Sequence, residues 1–161
     1  MLFGCKTSEI TPESGYKAGS AAGLAAAYVI NFSNFDAIIK STISSITTEL
    51  ARIVPTNTQT FAELWIPVIE KNINTYVEKQ GMTSTQKKAV DLAFNVIVDA
   101  LDHLFVKRPA LKLNTDIAFS TINGFCTAFN STLLSTRSNA TKITYDVDSE
   151  MYMYLKSKFA K

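Results

Sequence analysis

The apolar residues of this chain recur at spacings of three and four, and this period constrains the fold more than any other feature. It is clearest in one central segment, where the apolar positions follow a 4-3-4-3 rhythm: Val90, Phe94, Ile97, Leu101 and Leu104. Such spacing places side chains on one face of an α-helix, which has 3.6 residues per turn. A second apolar row runs beside the first: Ala89, Ala93, Val96 and Ala100. A stripe this wide predicts a central helix with neighbours on two sides.

The same period predicts further principal helices on either side of this one. The first is one long amphipathic helix that starts at Lys17 and ends near Val54, because Pro55 disfavours the helical conformation at the residue before it. The second starts at a capping box, Thr60–Glu63, and ends at Gly81, a residue type that commonly terminates helices. Within it, Pro67 predicts either a kink or a shifted start.

Two more helices complete the predicted architecture. Asn114 or Thr115 caps the fourth principal helix, and Asp148 caps a short C-terminal one. Residues 142–147 alternate weakly, but a single strand has nothing to pair with. We therefore expect an all-α helical bundle of four principal helices plus a short C-terminal helix. Residues 1–16 are expected to form a flexible N-terminal tether, and residues 17–161 a single helical domain.

Composition excludes several classes of protein. A chain of 161 residues with 47% apolar and 19% charged residues is neither disordered nor in need of a metal or disulfide to fold. A net charge of +2 gives no argument for nucleic-acid binding. Two cysteines do not make a disulfide framework, and one histidine makes metal chemistry improbable. We expect no cofactor, no metal and no nucleic-acid partner.

Catalytic motifs are absent, and one polar pair needs to be considered. Asp99 and His103 are four residues apart, so they share a helix face, and a carboxylate that orients an imidazole is the start of a general base. The alternative is a solvated face, because Asp91, Asn95 and Asp102 continue the same polar row. Cys126 falls within the apolar rhythm of the fourth helix, which predicts a buried, unreactive thiol.

A ladder of small residues marks the start of the first helix. Gly15, Gly19, Gly23 and Ala27 follow one another at intervals of four, a pattern that lets a second helix approach closely. One interpretation is a contact between subunits, flanked by Phe32 and Phe35. The other is packing of the small residues inside the bundle. The apolar run from Ala18 to Phe32 is about fifteen residues, shorter than the ~20 that span a bilayer.

The N-terminal residues Leu2-Phe3-Gly4-Cys5 resemble the lipobox of bacterial lipoproteins, in which an aliphatic residue, a variable residue and Gly or Ala precede the lipidated cysteine. The resemblance implies that Cys5 carries the lipid and that the bundle faces the periplasm from the bacterial cell envelope. A secretion signal needs 7–15 apolar residues before its cleavage site. Only four residues precede Cys5. The resemblance therefore requires that Met1 is an internal methionine of a longer precursor. Otherwise, we expect a virion or cytoplasmic location.

These observations favour a non-enzymatic binding or assembly protein that works through helix–helix contacts with other protein chains, as a homo-oligomer. If the lipobox is real, the protein is an envelope-anchored lipoprotein. The alternative is a structural protein of a phage or mobile-element virion, packed as a homo-oligomeric ring. A membrane-active protein and an enzyme that uses Asp99 and His103 are two further alternatives.

Overall fold

The computed structural model of the chain describes residues 10–31, 35–55, 59–112, 114–134 and 147–159. These residues form helices without strands: α1 (Pro12–Asn31), α2 (Ala37–Leu50), α3 (Phe61–Gln80), α4 (Ser84–Lys107), a short 3-10 helix (Pro109–Lys112), α5 (Thr115–Leu134) and α6 (Ser149–Phe159). The predicted all-α class is confirmed. The predicted count of four principal helices and one short helix is not, because the described part of the chain holds six α-helices. Most of the weakly alternating segment, residues 142–146, lies outside the described residues.

The long first helix of the prediction is two helices. α1 ends at Asn31 and α2 begins at Ala37. Asp36 adopts an extended conformation, and its carboxylate accepts a hydrogen bond of 2.9 Å from the backbone N–H of Ile39. This carboxylate satisfies a backbone donor at the start of α2, so a new helix begins here although the apolar period runs on.

Helix α1 also begins earlier than the apolar pattern indicates. It starts at Pro12, a residue whose fixed backbone angle and missing N–H suit the first helical position. Just before it, Thr11 and Ser14 exchange hydrogen bonds: the Ser14 N–H donates to Thr11 Oγ1, and the Thr11 N–H donates to Ser14 Oγ. Residues 12–16 are therefore helical, whereas the sequence predicted a tether.

The other predicted helix ends are where the local sequence places them. The predicted capping box forms at Thr60 with Glu63, and the sequence Thr83–Gln86 forms a second one at the start of α4. Gly81 ends α3 in the left-handed conformation, at φ 62°. α3 starts at Phe61 and continues through Pro67, so this proline does not shift the start of the helix.

The core is built around two helices. α4 contacts α1, α2, α3 and α6, as expected of a central helix, and most of its apolar face is buried. α1 is the second of these two helices, because its contact with α5 is more extensive than the contact between any other two helices. Phe61 and Trp65 of α3 fill the space beside α4, and both are at most 1% exposed.

Candidate functional site

The glycine ladder of α1 lies against α5 of the same chain. A side-chain carbon on Gly19 would overlap the carbonyl oxygen of Thr121, and one on Gly23 would overlap that of Phe125. On Gly15 it would lie 2.7 Å from the Thr121 hydroxyl. The backbones of α1 and α5 are therefore in direct contact, and only glycine permits so short a distance between them.

This location decides between the two interpretations of the ladder. α5 already covers the three glycines, and Ala27 is fully buried as well. The ladder is thus a packing surface inside the bundle in this fold, and α5 leaves these three glycines no room for a second subunit. Phe35 packs against the core as a partly buried side chain. Phe32, and the lipobox-like residues with Cys5, lie outside the described residues.

Asp99 and His103 both contact α6. The Tyr154 hydroxyl donates to Asp99 Oδ1 at 2.9 Å, and Lys158 Nζ lies 2.6 Å from Asp99 Oδ2. The His103 ring stacks on the Tyr154 ring with centroids 3.9 Å apart. Both residues that the enzyme hypothesis requires therefore contact side chains of α6.

The polar contacts between α4 and α6 repeat every four residues on both helices. Lys107 Nζ binds Glu150 Oε2 at 2.7 Å, one turn beyond the His103 stack. The hydrogen bond to Lys107 lowers the pKa of Glu150, and the hydrogen bond to Asp99 raises the pKa of Lys158. The Lys107–Glu150 pair is largely exposed, and such pairs contribute little to stability. The apolar contribution of α6 comes from its two buried side chains, Met151 and Leu155.

A groove lies along α4, between α3 on one side and the end of α6 on the other. It encloses about 690 Å³, within the ~300–1,000 Å³ that ligand sites occupy. We call it the α3–α4 groove. Its apolar lining is Ala62, Ile66, Ile69, Phe94, Val98 and Phe159. Its charged lining is Glu70, Lys87, Asp91, Asp99, Asp102 and Lys158. The groove is therefore amphipathic, and Ile66 remains 43% exposed in it.

The polar row of α4 (Asp91, Asn95, Asp99 and Asp102) forms part of this groove. The sequence predicted the row as a solvated face, and Asn95 and about half of the Asp91 side chain are exposed. In the structure, α6 covers one part of the row, and the rest lies beside the apolar side chains of α3. Ile66 was missed altogether. The sequence signal that could have found it is an apolar residue of α3 that lies outside the buried stripe of that helix.

The charges of the groove are unbalanced. Lys87 lies 3.8 Å from Asp91, and Lys158 pairs with Asp99. Within the described part of the chain, Glu70 and Asp102 have no cation within 4.0 Å. The groove thus holds four carboxylates against two ammonium groups.

Asp102 is held partly out of water at one end of the groove. Its Oδ1 accepts a hydrogen bond of 2.8 Å from the backbone N–H of Phe61, at the start of α3. Burial raises the pKa of its carboxyl group, and the hydrogen bonds from α3 oppose this only in part. An Asp whose pKa is raised by folding destabilises the folded state while it is ionised, and this effect disappears as the pH falls through the folded pKa.

We therefore expect Asp102→Asn to leave stability at pH 7 unchanged or slightly higher, because the amide oxygen still accepts from Phe61 and no charge is buried. At pH 3, where Asp102 is protonated, this gain should be absent. Urea denaturation followed by the fluorescence of Trp65 measures both values. A variant that is less stable than the parent at pH 7 but not at pH 3 would contradict the inference that ionised Asp102 destabilises the folded chain.

The described residues contain neither a metal site nor a membrane span. No group of three or more histidine, cysteine, aspartate or glutamate side chains is placed to hold a metal ion there. None of the described helices combines the length and the hydropathy of a transmembrane span. Comparison with protein-family models, characterised proteins and solved structures finds no match.

Proposed function

We propose that this protein is a non-enzymatic binding protein that receives an amphipathic helix of another protein chain in the α3–α4 groove. The observation that carries the proposal is the groove itself, in which the exposed side chain of Ile66 lies next to a row of carboxylates. Amphipathic helices bind in such grooves by inserting anchors at intervals of three and four residues.

The dimensions of the groove support a helix as the ligand. Its lining on α4 extends from Lys87 to Asp102, which corresponds to about 22 Å of helix axis at 1.5 Å per residue. A bound helix of four turns matches this length. Since the groove encloses about 690 Å³, only one face of that helix inserts.

The apolar anchors on α3 have the matching period. Ala62, Ile66 and Ile69 follow one another at intervals of four and three, so they form one ridge along the groove. Ile66 is the most accessible of them, and because 43% of it is exposed, its burial by a ligand would contribute about 0.6–1.3 kcal/mol. It is therefore the residue to substitute.

The test uses three synthetic 15-residue helices with the same apolar face and with lysine, glutamate or glutamine on the polar face. Fluorescence anisotropy gives their affinity for the full chain. We expect at least one to bind, and Ile66→Gln to weaken that binding about three- to tenfold. Ile38→Gln is the matched control, because Ile38 is an isoleucine of α2 with a similar exposure of 45% and lies outside the groove.

Two results would overturn the proposal. One is that none of the three peptides binds below millimolar concentration. The other is that Ile66→Gln and Ile38→Gln change the affinity equally, since the peptide would then contact some other surface.

A further inference from the structure

We infer that the helix bound in the α3–α4 groove is basic: it carries lysine or arginine along one side of its apolar face. This inference rests on the proposed function and names the class of partner. Its first support is the excess of carboxylates. Glu70 on α3 and Asp102 on α4 line the groove, and no described side chain forms an ion pair with either.

The second support is the way in which the chain binds its own helix α6. α6 runs antiparallel to α4, so that Lys158 lies on Asp99 and Glu150 lies on Lys107. An ammonium group on a helix thus already binds the polar row of α4. α6 ends at Phe159, which lines the groove, whereas the row continues to Asn95 and Asp91.

The third support is the arrangement of the two linings. The apolar ridge of α3 and the polar row of α4 run side by side along the groove. A helix that lies between them presents apolar residues to α3 and polar residues to α4 at the same time. Lysine or arginine in that polar position meets carboxylates, while glutamate would be repelled by them.

The partner's cations also have room to pair without displacing existing ones. Lys87 and Lys158 each pair with one carboxylate, and no described cation lies within 4.0 Å of Glu70 or Asp102, on which Lys112 acts only from farther away. Glu70 is exposed on its helix, and Asp102 is half-buried. A cation beside Asp102 favours the ionised carboxylate, which burial disfavours.

The three helices described above test this inference separately from the proposed function. We expect the lysine helix to bind at least tenfold tighter than the glutamine and glutamate helices in 50 mM salt. The preference should shrink in 500 mM NaCl, because salt screens the partly exposed pairs. The double variant Glu70→Gln/Asp102→Asn should remove most of it. Glu78→Gln, which neutralises an exposed carboxylate of α3 outside the groove, should leave it unchanged.

If the lysine helix binds no tighter than the other two, the inference is overturned, even where Ile66→Gln shows that the groove does bind a helix. If the double variant keeps the full preference, the inference is overturned as well, since the cations must then lie elsewhere. Analytical ultracentrifugation of the chain alone tests whether a second copy of the chain occupies the groove. A dimer that Ile66→Gln dissociates would also overturn it, because the groove would then hold this chain itself.

Discussion

Gly19→Ala is expected to destabilise the folded chain by more than about 3 kcal/mol, or to prevent it from folding. The added carbon would overlap the carbonyl oxygen of Thr121, which belongs to the backbone of α5 and cannot rotate away. α1 and α5 would have to move apart, and they form the most extensive helix pair of the protein. Overpacking typically costs about 1–3 kcal/mol, and a clash between two backbones lies at or above the upper end of this range.

Urea denaturation with Trp65 fluorescence measures the loss, and two other glycines give the scale. Gly15→Ala should cost less, because the nearest obstacle is the Thr121 hydroxyl. Gly81→Ala should cost about 1 kcal/mol, since its surroundings are empty and only its positive φ is strained. A Gly19→Ala variant within 1 kcal/mol of the parent would show that the two helices are not in backbone contact.

Cys126 is expected to react with a thiol reagent at least a thousandfold more slowly in the folded chain than in the unfolded chain. Burial raises its pKa from 9.0 to about 12. At pH 8 this change in pKa lowers the fraction of thiolate, which is the reactive form, by about a thousandfold. The side chain is also only 4% exposed, so the reagent must wait for an opening of the bundle.

The experiment uses the Cys5→Ser variant, in which Cys126 is the one remaining thiol. Its reaction with a chromogenic disulfide is followed at pH 8, with and without 6 M guanidinium chloride. A rate in the folded chain within tenfold of the unfolded rate would contradict the burial of Cys126 in α5.

The position of the glycines also changes how oligomerisation has to be tested. If the ladder were exposed, Gly19→Leu and Gly23→Leu would test a contact between subunits. In this fold they would separate α1 from α5, so a change in mass would report unfolding. Ile66→Gln on the surface is the more informative variant, because it changes the groove and leaves the core intact.

Much of the fold could be predicted from the sequence because it depends on neighbours within one turn of helix. The boxes at Thr60 and Thr83 and the left-handed Gly81 each involve a few consecutive residues, and the structure has all three. The break before Ala37 also had a local signal, the capping carboxylate of Asp36. It was missed because the apolar period continues across it, and a period alone does not distinguish one long helix from two helices that bury the same kind of face.

By itself, the sequence determined the all-α class, most helix ends and the burial of Cys126 and of the central apolar stripe, because spacing and capping are properties of a single helix. Only the tertiary structure decided what the glycines touch, where Asp99 and His103 point, and that Ile66 borders a groove. Each of these depends on which helices become neighbours: Ser20 bonds Gly124 across 104 positions, and Tyr154 bonds Asp99 across 55. Several pairings of amphipathic helices bury similar apolar area, and the close approach of α1 to α5 selects among them through contacts that no local pattern contains.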